Sequence, residues 1–84
     1  MRRPFVAGNW KMNLTLSQGQ ALAQAIAVEC REGDTVDVAV CPAAPYLLPI
    51  RDAIAGSGVK LGAQNAYFAA PGAFTGEVAL DMLL

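Results

Sequence analysis

Two polar side chains stand where an apolar run breaks. Phe5, Val6 and Ala7 lead through Gly8 into Asn9, Trp10, Lys11, Met12 and Asn13. A lysine is a compact cation with three donors, suited to a phosphate or a developing oxyanion. Asn9 adds an amide that can donate or accept. Two later apolar runs end at Cys41-Pro42 and at the polar pair Gln64-Asn65. On spacing alone, a loop lysine is ordinarily a solvated amine and a loop tryptophan ordinarily packs beneath its loop. The sequence contains no histidine, so no imidazole acid or base and no Ser-His or Cys-His pair can form. It also lacks both the G-x-G-x-x-G pattern and the G-x-x-x-x-G-K-[ST] phosphate loop. Glu29, Glu32 and Asp34 fall at a helix end or turn, on the far side of the expected sheet from Lys11. Glu77 lies beside Thr75 on a long loop. An anion can be held here, but no proton-transfer group is evident near Lys11.

The elements that must position these residues alternate strand, helix, strand, helix, strand. Pro4 to Gly8 is the first short apolar run. Thr15 with Gln18, and Ser17 with Gln20, both fit the capping box that opens a helix. Ala21, Leu22, Ala25 and Ile26 then recur at helical spacing, with Gln20, Gln24 and Glu29 largely opposite. Gly33 supplies a C-terminal stop. Thr35 to Cys41 reads as the second strand. After a proline-punctuated turn, Leu47, Ile50 and Ile54 form a helical stripe, with Pro49 placed in the first turn. Val59 to Ala63 reads as the third strand, Ala66 to Glu77 as a loop, and Ala79 to Leu84 as the opening turn of a helix.

This order implies βαβ units and a parallel sheet. Right-handed crossovers put both helices on one face, yet parallel sheets are almost always covered on both. Three strands with one bare apolar face do not complete a domain. Closure into a barrel, or helices on the second face, would each require more chain. In such folds ligands bind at the carboxyl ends of the strands, which is where Asn9, Lys11, Cys41, Gln64 and Asn65 are expected.

Composition points the same way. The 84 residues are 55% hydrophobic and only 15% charged, below the roughly 25% charged of an ordinary domain. A short chain buries a small share of its surface, so this excess suggests surface that something else covers. With a net charge of −1 and no basic run beyond Arg2-Arg3, the footprint of nucleic-acid binding is missing. No apolar run approaches the roughly 18 residues of a membrane span and no signal segment is present, so a cytoplasmic location is expected. Cys30 should close the first helix and Cys41 end the second strand. That places them roughly 20 Å apart at ~3.3 Å per residue, too far for a disulfide.

Three separate stretches, FVAGNWKMN, GAQNAY and GAFTGEV, resemble the N-terminal third of the triosephosphate isomerase family, and CPAAPYL fits the same register. The resemblance runs from Pro4 to about Leu83. It implies the N-terminal β-α-β-α-β portion of a (β/α)8 TIM barrel, an α/β fold incomplete on its own. Residues 1–84 would be one segment of a single barrel domain, holding strands 1 to 3, helices 1 and 2, loop 3 and the start of helix 3. The implied reaction interconverts dihydroxyacetone phosphate and glyceraldehyde 3-phosphate without cofactor or metal. Its glutamate base and neutral histidine lie on later strands, in a family that is itself a standard case of such tuning.

By the same resemblance, Asn9 and Lys11 bind substrate, with the Lys11 ammonium facing the phosphate and the enediolate oxygen. A homodimer of completed barrels is also implied. Met12, Gln64, Asn65, Phe74, Thr75, Gly76 and Glu77 would lie at its interface, with Thr75 and Glu77 bracing the neighbour's Asn9 and Lys11. The expected partners are therefore a small phosphorylated triose, the remaining barrel segment, covalent or separate, and a second subunit. Two departures are plain: Ala79-Leu80 replaces the Ser-Pro pair that usually opens helix three, removing a favourable cap, and Leu14 stands where many members carry a polar or thiol interface residue. The alternative is a non-enzymatic barrel fragment that binds or self-associates through its bare face.

Overall fold

The computed structural model describes residues 2–84. Short β-branched and apolar runs form three strands: β1 (Phe5–Asn9), β2 (Asp37–Cys41) and β3 (Val59–Leu61). They pair in parallel in the order β1-β2-β3, with Val6 opposite Val38 and Val38 opposite Val59. The sheet is open, not closed, as the sequence leads one to expect. Helices α1 (Leu16–Glu29), α2 (Leu47–Ala53) and the short α3 (Leu80–Leu83) complete the order, with a 3₁₀ turn at Ala44–Tyr46 before α2.

Of the two possible capping boxes, the chain uses Thr15 and Gln18. The Gln18 backbone N–H donates to the Thr15 hydroxyl, and the Thr15 N–H donates to the Gln18 side chain. Two orphan donors of the helix start are thereby satisfied. The helix closes at Cys30, its cap, as expected, and Gly33, at φ +87, turns the chain that follows. An Asp34 carboxylate oxygen accepts from the Arg31 N–H at 2.9 Å, and that turn also delays β2 from Thr35 to Asp37. Gly58 is fixed by space: an added Cβ would lie 2.5 Å from the Arg31 carbonyl oxygen. Close approach there lets the Gly58 N–H donate to the Cys30 carbonyl at 3.0 Å.

α1 and α2 pack on each other and on one face of the sheet. The core is Trp10, Ala23, Val40, Ile50, Ile54 and Val59, with Ile50 and Ala23 fully buried. Ile50 and Ile54 meet the stripe expected of α2. α1 does not present the expected face: Gly19 and Ala23 are its buried residues, while Leu22 is 40% exposed. The reason is steric. The bulky Trp10 and Ile50 need small partners, and the helix turns Gly19 and Ala23 toward them.

With side chains alternating across the pleat, Val6, Val38, Val40, Val59 and Leu61 share one side, which the helices cover over β2 and β3. Phe5, Ala7, Asn9, Asp37, Cys41 and Lys60 share the other, which no helix of the described residues covers. Phe5 and Val6 are 63% and 58% exposed, so β1 is bare on both faces. Cys30 and Cys41 are free thiols, as expected. No described helix is long and apolar enough to cross a membrane.

At the amino ends of the strands, Arg3 forks onto Asp37 and Lys60 approaches the same carboxylate at 3.9 Å. The Arg3 hydrogen bond, opposed by partial burial and helped by the charges of Arg3 and Lys60, holds the Asp37 carboxyl below its ordinary 3.8. A depressed carboxylate stabilises the fold fully above its unfolded pKa, and that contribution is lost as pH falls through the folded one. The denaturation midpoint of the chain should therefore exceed that of Asp37→Asn at about pH 6. The gap should close once the pH falls well below about 4. A gap that persists unchanged at low pH would contradict the role given to ionised Asp37.

Candidate functional site

The carboxyl ends of the strands gather Asn9, Trp10, Lys11, Cys41 and Gln64. Trp10 lies beneath the loop, 9% exposed, and its backbone N–H donates to the Cys41 carbonyl at 3.1 Å. Its ring fills the space left by Gly19, where an added Cβ would sit 3.2 Å from the indole. Anchoring Trp10 fixes where the next residue begins. Lys11 then takes φ +55, a left-handed backbone uncommon for a residue with a Cβ.

Two side chains hold that conformation. The Asn9 side-chain oxygen accepts from the Lys11 N–H at 2.9 Å. From the far side, the Gln64 side-chain amide donates to the Lys11 carbonyl at 2.9 Å and to the Cys41 carbonyl at 3.0 Å. Both hydrogens of that amide are thus spent on backbone. Asn9 keeps its own amide N–H groups for other partners. The exposed Lys11 side chain enters no ion pair among the described residues. The result is a cation on a fixed backbone, open at the strand ends where ligands bind in such sheets.

The structure brings the Asn9 side-chain oxygen to the Lys11 backbone N–H. Spacing did not reveal that Gln64 clamps Lys11 within the same chain, because 53 residues separate them. A polar amide just past a strand end was the only local signal. Met12 is 95% exposed, and Asn65 is exposed as well.

Loop 3 is ordered by its own contacts. Tyr67 bridges Ala79, its N–H donates to the Val78 carbonyl at 2.8 Å, and its ring lies 4.7 Å from that of Phe74. Phe74 therefore packs on Tyr67 and remains 42% exposed. Gly76 turns the tip at φ +83. Among the described residues, no hydrogen bond or ion pair joins Thr75 or Glu77 to Asn9 or Lys11. Ala79 caps α3 without a side-chain hydrogen bond, as its residue type predicts.

Leu14 also sits in the left-handed region, at φ +75. An L-residue there costs about 1–2 kcal/mol, and glycine costs about 0.5–1 kcal/mol in unfolded-chain entropy. Leu14→Gly should thus raise stability by up to about 1 kcal/mol, read as a higher denaturation midpoint. A lower midpoint would show that the leucine side chain contributes more than its backbone costs.

Residues 4–84 match the family model described as triosephosphate isomerase. The chain is similar to the triosephosphate isomerase of Carboxydothermus hydrogenoformans, 47% identical over 83 residues, which are 99% of this chain and 33% of that protein. It is 48% identical to that of Rhodopirellula baltica over 82 residues, 98% of this chain and 32% of that protein. It is 43% identical to that of Clostridium beijerinckii over 83 residues, again 99% of this chain and 33% of the relative. The chain thus spans about a third of the length of the curated relatives it matches.

Proposed function

The chain belongs to the triosephosphate isomerase family, and from that premise we propose that it supplies the substrate-holding part of an isomerase acting on triose phosphates. Residues 1–84 form the first segment of a single (β/α)8 barrel domain. The observation that carries this reading is Lys11 held at φ +55 between the Asn9 and Gln64 side chains at the open strand ends. A preorganised cation stabilises charge as it develops, without reorganising at the moment of reaction. Here the ammonium faces the substrate phosphate and the enediolate oxygen, and Asn9 orients the substrate with its free amide donors. Proton transfer falls to a glutamate and a histidine on later strands. With no histidine of its own, the 84-residue chain by itself is inactive.

In the completed enzyme, loop 3 docks on a second subunit. Phe74, Thr75, Gly76 and Glu77, with Met12, Gln64 and Asn65, form the contact, and Thr75 and Glu77 brace the partner's site. The enzyme works in the cytoplasm on dihydroxyacetone phosphate and glyceraldehyde 3-phosphate. A chimera tests this reading, with residues 1–84 replacing the corresponding third of the Carboxydothermus hydrogenoformans enzyme. Isomerase turnover and a dimer by size-exclusion chromatography are expected. A folded but inactive chimera would contradict it.

The exposure of Phe5 and Val6 favours a second reading, a fragment that self-associates through β1 without catalysis. Exposed apolar strands of this kind invite pairing. Circular dichroism and size-exclusion chromatography of the isolated chain separate the two readings. A cooperatively folded oligomer supports the second, and a monomeric or aggregating chain of loose structure removes it.

A further inference from the structure

β1 carries the site, yet its own sequence says little about its register. Phe5 and Ala7 line one face, Val6 and Gly8 the other, and all are exposed. A strand apolar on both faces reads nearly the same after a one-residue slip, and such a slip sends every side chain to the opposite face. Asn9 would then leave the open side of the sheet, and Lys11 would lose the positions of both Asn9 and Gln64. Trp10 secures the carboxyl end of the strand. A second point is needed at the other end.

The only side-chain contacts among the described residues that tie the amino end of β1 to β2 run through Arg3. Its Nε and a terminal nitrogen each lie 3.2 Å from a different Asp37 carboxylate oxygen, a forked pairing with strict geometry. The same guanidinium donates to the Asp34 carbonyl, and the Asp37 N–H donates to the Pro4 carbonyl at 2.9 Å. Asp37 pairs with Phe5 in the sheet, and Arg3, two residues earlier, extends the same face. Sliding β1 by one residue, about 3.3 Å, would turn Arg3 to the other face and break the fork. Lys60 meets Asp37 from β3 at 3.9 Å, so one carboxylate on β2 joins β3 to the segment that leads into β1. Asp34, the other acid near the fork, is already turned to the Arg31 N–H, which leaves Asp37 as the anion that Arg3 pairs with.

We propose that Arg3 and Asp37 are positioning residues, a charged register lock at the amino ends of β1 and β2 that sets Asn9 and Lys11 at the opposite end. The significance of that setting rests on the substrate-holding reading of Asn9 and Lys11, but the lock itself is read without any activity. An exposed ion pair adds little raw stability, and its value here lies at the amino end of β1, where the exposed side chains leave burial unable to separate the registers.

The test is the cross-strand proton contact map, by NMR, of the chimeric barrel isotope-labelled in residues 1–84. In the parent chain, Val6 faces Val38 and Ala7 faces Ala39, in a single set of β1 signals. Arg3→Gln and Asp37→Asn should each add a second set for Phe5 to Lys11, with Val6 contacting Ala39, at roughly a tenth of the molecules. Arg3→Lys should restore much of the single set. Lys60→Met should leave β1 single, because Lys60 lies on β3 and reaches Asp37 on β2 but nothing on β1. If Asp37→Asn fails to fold, Arg3→Gln decides alone, since it alters one half-exposed side chain before the first strand. A single native register in Arg3→Gln would overturn the lock. Inactivity of the chimera with an intact lock would instead count against the substrate-holding reading.

Discussion

Lys11→Ala in the chimeric barrel lowers kcat/KM by roughly two to three orders of magnitude, while the denaturation midpoint stays close to that of the parent. Removing one preorganised electrostatic group from a reacting centre typically costs that much. The side chain is exposed and unpaired among the described residues, so little folding energy depends on it. The backbone clamp on Lys11 is made by its N–H and carbonyl, which alanine retains. Lys11→Arg should recover only part of the loss, because a planar fork is not a compact point charge. Near-normal turnover in Lys11→Ala would remove the electrostatic role.

Gln64→Leu is expected to have the second largest effect, about a hundredfold in kcat/KM, though Gln64 does not touch substrate in this account. Its amide holds the Lys11 carbonyl and the Cys41 carbonyl together. Leucine keeps much of the volume and removes both donors, so the strained φ of Lys11 is secured only by Asn9 and by Trp10 anchoring. A displacement of about 1 Å at a reacting centre can cost about 10²-fold. The ammonium is still present, so the rate loss should differ from that of Lys11→Ala in one respect. Residual activity in Gln64→Leu should depend further on Lys11, and the double variant should be no better than Lys11→Ala. Additive losses in the double variant would mean that Gln64 acts on something other than Lys11.

Local chemistry made much of this fold legible in the sequence. The capping box at Thr15 and Gln18 involves residues three apart, and Trp10 beneath its loop follows from a large ring beside a strand end. Ile50 and Ile54 mark their helix face because the charged Arg51 and Asp52 lie between them. α1 was less readable, since alanines on several sides leave the apolar face undefined until Trp10 and Ile50 select Gly19 and Ala23. The start of β2 was blurred by Thr35 and Val36, which favour strands but are taken up by the turn that Gly33 and Asp34 build. At the site, Asn9 and Lys11 lie two residues apart and could be paired by eye. The Gln64 clamp and the Arg3–Asp37 fork join residues 53 and 34 apart, and only the folded sheet brings them together.

The proposed division of labour between this chain and the later strands can be checked in one assay. The 84-residue chain is mixed with the separately produced later two-thirds of the Carboxydothermus hydrogenoformans enzyme, and isomerisation of glyceraldehyde 3-phosphate is followed for each part and for the mixture. Turnover in the mixture, and none in either part alone, is the predicted result. Robust isomerase activity from the 84 residues alone would contradict the account, because the chain would then hold a proton-transfer group that none of its identified site residues provides.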